Sequence, residues 1–164
     1  MKTLTFVAFI FYASYAFSQL PSLDDLRKEY FMLLENEKKC KETYLQLSSI
    51  KNPSQLYSAY KAVFTMVMAR YTNNVVTKWS YFNQGRDLLE EVIKKNPDNV
   101  EMRFLRITIQ DNVPSILSYS CNIDEDKNFI LSYYHTIPGN GLKENIRTYF
   151  LKSAFCSAEE KKKL

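Results

Sequence analysis

Two arginines spaced one helical turn apart are the strongest candidates for chemistry in this sequence. Arg103 and Arg106 lie in a segment that is otherwise rich in apolar residues. A guanidinium group in such a segment must reach solvent or find an anionic partner. Either the pair binds acids of the chain, or it lines a concave groove and holds a carboxylate or a phosphate. With their neighbours, the candidate binding residues are Arg103, Arg106, Gln110 and Tyr119.

The acids expected to pair with these arginines are Glu101, Asp124 and Asp126. Such pairs would join the fourth predicted helix to the fifth. Asp124 and Asp126 belong to a run of three consecutive acids, and carboxylates in a first helical turn complement the helix dipole. A calcium-binding EF-hand would instead need ligands spread over a loop with a central glycine. The sequence therefore predicts no metal site and no cofactor.

A single histidine is the second candidate for chemistry. His135 could act as a general base, with Ser132 or a cysteine as the nucleophile. No strand–turn–helix elbow of the kind that exposes a nucleophilic serine surrounds any serine in the sequence. A histidine near a helix C-terminus also interacts favourably with the helix dipole. A hydrolase-type enzyme that uses His135, or the pair Arg103 and Arg106, is the alternative to a binding protein.

Helices must position these residues, because the sequence is poor in the residues that make tight turns. It holds only three glycines in 164 residues, whereas an all-β chain of this length would need many at positive φ. Apolar residues also recur at helical spacing in successive segments separated by turn residues. We predict an all-α fold of about six helices, stacked as helical hairpins, in one domain over residues 19–157.

Two of these helices carry specific predictions about packing. The first is a continuous helix of about 25 residues, from Leu23 to Leu47, with a narrow apolar seam. The third extends from about Val76 to Lys95, with Trp79 facing inward and Gly85 on the same face. Glycine inside a helix costs about 1 kcal/mol relative to alanine. We therefore expect Gly85 to permit close approach of a neighbouring helix.

The fourth segment carries both a strand pattern and a helix pattern. Apolar and polar residues alternate from Leu105 to Gln110, which is typical of a strand, whereas the spacing of Phe104 and Ile107 fits a helix. Asp98 and Glu101, just upstream, have the spacing of a capping box that begins a helix. We therefore predict a helix.

The first 18 residues have the three parts of a secretory signal peptide. Lys2 supplies the positive start, an apolar run extends from Leu4 to Phe17, and small residues precede a cleavage position after Ser18. The apolar run is too short, and too interrupted by polar residues, for a comfortable membrane span. We predict an exported protein, periplasmic or secreted, whose mature chain begins at Gln19 and has no stable membrane span.

The charge of the mature chain is too small to indicate nucleic-acid binding. Loss of the leader leaves 21 basic and 18 acidic residues, a net charge of +3, and the basic residues are scattered. The only basic run, Lys161 to Lys163, lies in a predicted C-terminal tail at residues 158–164, which has the composition of a frayed helix end. We predict no nucleic-acid partner, and the oligomeric state stays open.

The three cysteines do not define a disulfide framework. Because their number is odd, at most one internal bond forms. Cys40, Cys121 and Cys156 lie in apolar stretches, so one interpretation is three buried thiols. The other is a bond between Cys121 and Cys156 that joins the last helices, which export would permit.

The stretch from Trp79 to Ile109 resembles the tetratricopeptide repeat. The residues at that family's small, apolar and inter-repeat proline positions are Gly85, Leu89, Val92 and Pro97, and IKKNPDNVEMRFL is similar to the joint between two repeats. The run NVEMRFLRITIQDNVPSILSY also resembles a group of small exported bacterial proteins, of the Bacteroidota type, whose role is unknown. These resemblances imply a signal peptide and helical hairpins, and they bring no known activity.

Two functions of different classes fit the sequence. The first is a non-catalytic helical module that binds a protein or peptide partner, because stacked helical hairpins present grooves. The second is the hydrolase-type enzyme. A pocket that converges on His135 or Arg103, with a strongly perturbed ionisable group, would favour the enzyme. A groove lined by aromatic residues without such a group would favour the binding module.

Overall fold

Helices form all the regular secondary structure of residues 20–139 and 141–164, which are the residues that the computed structural model describes. The all-α prediction is confirmed, while the predicted signal peptide lies outside the described residues. The α-helices are α1 (Leu23–Glu35), α2 (Glu37–Ser49), α3 (Gln55–Met68), α4 (Val75–Lys95), α5 (Val100–Gln110), α6 (Ile123–Tyr133), α7 (Gly141–Lys152) and α8 (Ala158–Lys161). Short 3₁₀ turns occur at Ala69–Tyr71, Ser115–Leu117 and Tyr134–Thr136.

The first predicted helix is in fact two helices, which is one reason the described residues hold eight helices and not about six. Asn36 ends α1, where its backbone N–H donates to the carbonyl oxygen of Met32 at 3.2 Å. Its side chain begins α2 by accepting a hydrogen bond from the backbone N–H of Lys39 at 3.0 Å. An asparagine side chain competes in this way with the continuous helical hydrogen-bond ladder. The apolar seam is retained on both sides of this break.

The helix predicted for the fourth segment is confirmed as α5, but its first turn differs from the expected one. Asn99 is the N-cap and accepts a hydrogen bond from the backbone N–H of Met102 at 2.9 Å. The predicted capping box of Asp98 and Glu101 is therefore wrong. Glu101 instead turns inward to the half-buried Arg27 of α1, because a guanidinium group is a stronger partner for a carboxylate than a backbone N–H.

The helices α3 and α4 form a closely packed hairpin, and Gly85 lies at its contact. A Cβ atom on Gly85 would lie 2.5 Å from the carbonyl oxygen of Ala62 and 2.5 Å from Cγ of Met66. Both distances are shorter than van der Waals contact, so no larger residue fits without a shift of the helices. The predicted close approach at Gly85 is confirmed.

The core consists of two apolar clusters that meet along α5. The first surrounds α3 and includes Tyr30, Phe64 and Leu89. The second lies between α5, α6 and α7 and includes Ile130 and Phe150. Residues of α5 belong to both clusters, and every residue from 101 to 110 is buried. A helix that is buried on all sides must pair each of its charged side chains inside the protein.

The C-terminal residues pack against α6. Ser157 begins α8 with a capping box to Glu160, and Glu160 forms an ion pair of 3.0 Å with Lys127 of α6. Lys161 donates to the carbonyl oxygen of Ser153 at 2.9 Å. These contacts hold residues 158–161 in a short helix, although the composition of this segment predicts a frayed helix end.

Candidate functional site

The two candidate arginines bind carboxylates of their own chain. Arg106 donates two hydrogen bonds to Asp126, from Nε to Oδ2 and from Nη2 to Oδ1, each 2.7 Å long. Arg103 donates to the same Oδ1 at 2.7 Å and to Glu125 at 3.0 Å. Glu90 of α4 accepts a hydrogen bond of 2.7 Å from Arg106. Because Asp126 is fully buried, this cluster joins α4, α5 and α6 inside the molecule.

Burial and neighbouring carboxylates act in opposite directions on these guanidinium groups. Burial lowers the pKa of Arg106, but its hydrogen bonds to Asp126 and the charge of that residue outweigh burial, so the pKa is raised. The pKa of Arg103 is raised for the same reasons, with Glu125 as the additional partner. The Arg103 guanidinium also lies 4.4 Å from the centre of the Phe129 ring. The protein's own groups therefore hold both arginines as cations.

Glu101 and Asp124, the other expected partners of the arginines, form ion pairs elsewhere. Glu101 accepts two hydrogen bonds from Arg27, at 2.9 and 2.8 Å, and one of 2.7 Å from Tyr60 of α3. Asp124 accepts a hydrogen bond of 3.1 Å from Lys127. Glu101 thus links α1, α3 and α5 in a contact that the sequence did not indicate. Arg27 lies 74 positions away from it, so no local pattern relates the two.

Gln110 and Tyr119, the remaining candidate residues, hold the loop between α5 and α6. The side chain of Gln110 donates to Oδ1 of Asn122 at 3.1 Å and accepts from the backbone N–H of Asn122 at 3.2 Å. Because Gln110 ends α5 and Asn122 precedes α6, this pair closes the two ends of a loop at residues 111–121. Tyr119, inside the loop, donates to Glu90 at 2.6 Å. Compact loops with paired ends are frequently functional.

An apolar groove of about 520 Å³ lies beside this loop and is named here the Trp79 groove. Its walls come from the end of α3, the start of α4, the end of α5 and the loop at residues 111–121. Its apolar walls include Met66, Val75, Trp79, Phe82, Ile109 and Val113. The ring of Phe82 packs edge-on against the ring of Tyr119, with 5.9 Å between their centres. None of the four candidate residues lines the groove, and of the four only Tyr119 is seen to pack against one of its walls.

Apolar side chains are unusually exposed at the mouth of the Trp79 groove. Val75 is 78% exposed and Trp79 is 56% exposed, although both contribute to its wall. Ile116 is 87% exposed in the loop at residues 111–121, which contributes to the groove, although Ile116 itself does not line it. Exposed apolar residues gathered in one place mark surfaces that bind a partner or ligand, whereas single ones need no explanation.

The polar side chains of the Trp79 groove are two cations and one amide. Arg70 and Lys78 are exposed, no Asp or Glu lines the groove, and neither cation forms an ion pair within residues 20–139 and 141–164. The Nδ2 atom of Asn112 donates to the carbonyl oxygen of Thr108 at 2.9 Å and to the hydroxyl of Tyr149 at 2.8 Å. Its Oδ1 accepts no hydrogen bond from the part of the chain that the structure describes.

The exposure of Trp79 corrects the prediction that this residue faces inward. The helix α3 ends at Met68, and the chain continues in the 3₁₀ turn Ala69–Tyr71, which contacts α4. The start of α4 therefore has no full helix to cover it. The sequence does carry a sign of this surface, because Val76 and Trp79 widen the apolar stripe of α4 beyond the face that carries the buried Phe82, Leu89 and Val92.

The structure places His135 away from the Trp79 groove. His135 is exposed in the 3₁₀ turn that follows α6, and it is not among the residues that line the groove. The hydroxyl of Ser132 donates to the carbonyl oxygen of Phe129 at 2.7 Å. Neither residue is brought together with the candidate arginines.

The three cysteines are free thiols, so a bond between Cys121 and Cys156 is not formed. Cys40 and Cys156 are buried, as the first interpretation predicts, whereas Cys121 is exposed. Burial raises the pKa of Cys40 to about 11 and also raises the pKa of Cys156.

Within residues 20–139 and 141–164, no group of three or more His, Cys, Asp or Glu side chains is arranged to hold a metal ion. None of the helices found there combines the length and the apolar character that a membrane crossing requires.

Comparison of the chain with protein-family models, with curated proteins and with solved structures finds no match.

Proposed function

We propose that this protein is an exported, non-catalytic helical module that binds a polypeptide partner in the Trp79 groove. The observation that carries the proposal is a groove of about 520 Å³ with mainly apolar walls and an exposed tryptophan at its mouth. Sites of about 300–1,000 Å³ with apolar walls and a few polar groups are typical of ligand binding. Tryptophan and arginine are also the residues that most often dominate the energy of protein interfaces.

The same geometry favours binding over the hydrolase-type alternative. His135 lies outside the groove, and Arg103 and Arg106 are buried and do not line it. To contact a substrate anion, Arg106 would have to leave Asp126 and Glu90, which would abandon a fully buried carboxylate. The groove instead offers aromatic and aliphatic contact surface, which is the feature expected of the binding module.

We also propose that the helices α3 and α4 form a hairpin of the tetratricopeptide-repeat type, followed by α5. The contact at Gly85, the buried Leu89 and Val92, and the position of Pro97 between α4 and α5 support this assignment. Stacked hairpins of this kind present grooves to partner chains. A crystal structure superposed on such repeats tests the assignment, and an angle between α3 and α4 outside the range of such repeats would contradict it.

Export is the part of the proposal that rests on the first 18 residues. We expect the protein in the periplasm or the medium, with a mass that corresponds to a chain beginning at Gln19. Cell fractionation with mass spectrometry of the purified protein tests this. An unprocessed chain in the cytosol would overturn it.

Trp79 makes binding in the groove directly measurable, because it is the only tryptophan in the chain. A library of random peptides without tryptophan is selected on the purified protein, and the enriched peptides are titrated while Trp79 emission is recorded. We expect the emission to move to shorter wavelength on binding, because an apolar peptide side chain would displace water from the indole ring. If no peptide is enriched, or if peptides bind without a change in Trp79 emission, the Trp79 groove is not the binding site.

Two neighbouring valines provide a matched pair of variants for this experiment. Val75 and Val76 are both 78% exposed, but only Val75 lines the groove. Val75→Glu places a charge in the apolar mouth, and we expect it to weaken binding at least about tenfold, a change of about 1.4 kcal/mol. Val76→Glu should leave the affinity within about twofold. Equal effects of the two variants would contradict the proposed site.

A further inference from the structure

We infer that the partner segment of the Trp79 groove is acidic as well as apolar, with a carboxylate that binds between Arg70 and Lys78 next to an apolar anchor side chain. The inference rests on the proposed function and specifies the chemistry of its partner. It follows from the charges at the mouth of the groove and from the hydrogen-bonding state of Asn112.

The charges at the mouth are all of one sign. Arg70 follows α3 and Lys78 lies in the first part of α4, and both line the groove. Elsewhere in the described chain, exposed basic side chains often pair with acids three or four residues away, as Lys95 does with Glu91 and Lys41 with Glu37. Arg70 and Lys78 have no such partner among the described residues. An anionic ligand would therefore gain two favourable contacts and no repulsive one.

The amide of Asn112 favours a polypeptide over an acyl amphiphile as the source of that anion. Both hydrogens of its Nδ2 atom are used, by Thr108 and Tyr149, so the orientation of the side chain is held. The Oδ1 atom is thus a fixed, exposed acceptor in a groove whose other polar side chains are the two cations. A peptide main chain carries N–H donors that can satisfy it, whereas a fatty-acyl chain carries none.

Three peptide libraries test the inference. They share a randomised apolar core without tryptophan and differ only in the flanking residues, which are Glu in the first library, Gln in the second and Lys in the third. We expect the best Glu-flanked peptides to bind about fivefold more tightly than their Gln counterparts, since exposed ion pairs contribute modestly, and the Lys-flanked peptides to bind most weakly. The advantage should shrink as the salt concentration rises from about 0.05 M to about 0.5 M.

Charge reversal identifies the residues responsible. The double variant Arg70→Glu and Lys78→Glu should reverse the order, so that Lys-flanked peptides bind best. Lys94→Glu is the matched control, because Lys94 is an exposed lysine at the opposite end of α4 that does not line the groove. It should leave the order unchanged. Circular dichroism of each variant confirms that the helices are retained.

The possible failures are distinguishable from one another. Equal affinity of Glu-flanked and Gln-flanked peptides would overturn the inference and leave the peptide-binding function standing. Failure of all three libraries to bind would overturn the function itself. A shift of Trp79 emission on addition of tetradecanoate or phosphatidylglycerol vesicles, with no response to any peptide, would replace the polypeptide by a lipid amphiphile and would also overturn the inference.

Discussion

At Asp126, three hydrogen bonds from two arginines converge on one fully buried carboxylate. Removing two guanidinium groups and a carboxylate from water is costly, and close pairing offsets that cost only when the geometry is good. The bidentate contact with Arg106 meets this condition. The sequence indicated that Arg103 and Arg106 need acids, but the choice of Asp126 over Glu101 required the tertiary structure, because it depends on which helix packs beside α5.

The variant Asp126→Asn should therefore be strongly destabilising. It leaves Arg103 and Arg106 buried with less compensating charge, and we expect a loss of about 3 kcal/mol in the free energy of unfolding, measured by urea denaturation. Asp124→Asn is the control, because Asp124 has a side chain that is 85% exposed and, among the residues that the structure describes, pairs only with Lys127. It should cost less than about 1 kcal/mol. Equal losses would mean that the buried cluster is not the source of the effect.

At the scale of elements, two contacts place the walls of the Trp79 groove. The hairpin of α3 and α4 is held close by Gly85, and the loop at residues 111–121 is closed by Gln110 and Asn122. Each wall therefore depends on a contact between two segments of the chain and not on one helix alone. The role of Gly85 was recognisable in the sequence, because a glycine within the apolar stripe of a helix lowers the stability of that helix. A close packing contact explains why a glycine is present there. The loop closure was not recognisable, because a glutamine and an asparagine twelve positions apart form no known pattern.

The variant Gly85→Ala should separate the helices α3 and α4. Its Cβ would lie 2.5 Å from the backbone oxygen of Ala62, which cannot move without the helix. We expect a loss of about 2 kcal/mol in the free energy of unfolding, although alanine is the better helix former. Gly139→Ala, where a Cβ meets no atom within 4 Å, should change stability by less than about 0.5 kcal/mol. A stabilising effect of Gly85→Ala would show that the close approach is absent in solution.

The variant Gln110→Met should release the loop at residues 111–121. It removes both hydrogen bonds to Asn122 and leaves a half-buried backbone N–H without its acceptor. We expect the loop amides to exchange with deuterium about tenfold faster while α3 and α4 keep their protection, as hydrogen-exchange mass spectrometry would report. Gln84→Met, at an exposed position of α4, is the control. Unchanged exchange in the loop would mean that Tyr119 alone holds it.

At the scale of the whole molecule, buried tyrosine hydroxyls connect helices that are distant in sequence. Tyr30 of α1 shares a hydrogen bond of 2.6 Å with Thr108 of α5, and Tyr60 of α3 donates to Glu101. Burial, the largest cause, raises the pKa of Tyr30, Tyr60, Tyr119 and Tyr149 above the usual value near 10. The side chains of these tyrosines are therefore neutral in the folded protein, and they contribute to both apolar clusters.

These raised pKa values predict a loss of stability at alkaline pH. In the unfolded chain the tyrosines ionise near pH 10 and Cys40 near pH 9, whereas the folded chain keeps their protons. Their contribution is complete below about pH 9 and decreases as the pH rises, by about 1.4 kcal/mol per pH unit for each group. Melting temperatures between about pH 8 and pH 11 measure the effect. Tyr119→Phe should make the decline shallower and Tyr133→Phe, at an exposed position, should not.

The sequence by itself determined the helical class of this protein and the position of most of its helices, because helical periodicity, turn residues and scarce glycine are local properties. It also located the buried arginines and the glycine contact, since each is a local exception to an apolar pattern. Only the tertiary structure decided that the first predicted helix divides at Asn36, that Glu101 turns to Arg27, and that Trp79 faces a groove. The physical reason is that the partners of a side chain, and the surface left uncovered, depend on which helices meet in space. The spacing of residues along the sequence does not reveal which helices meet.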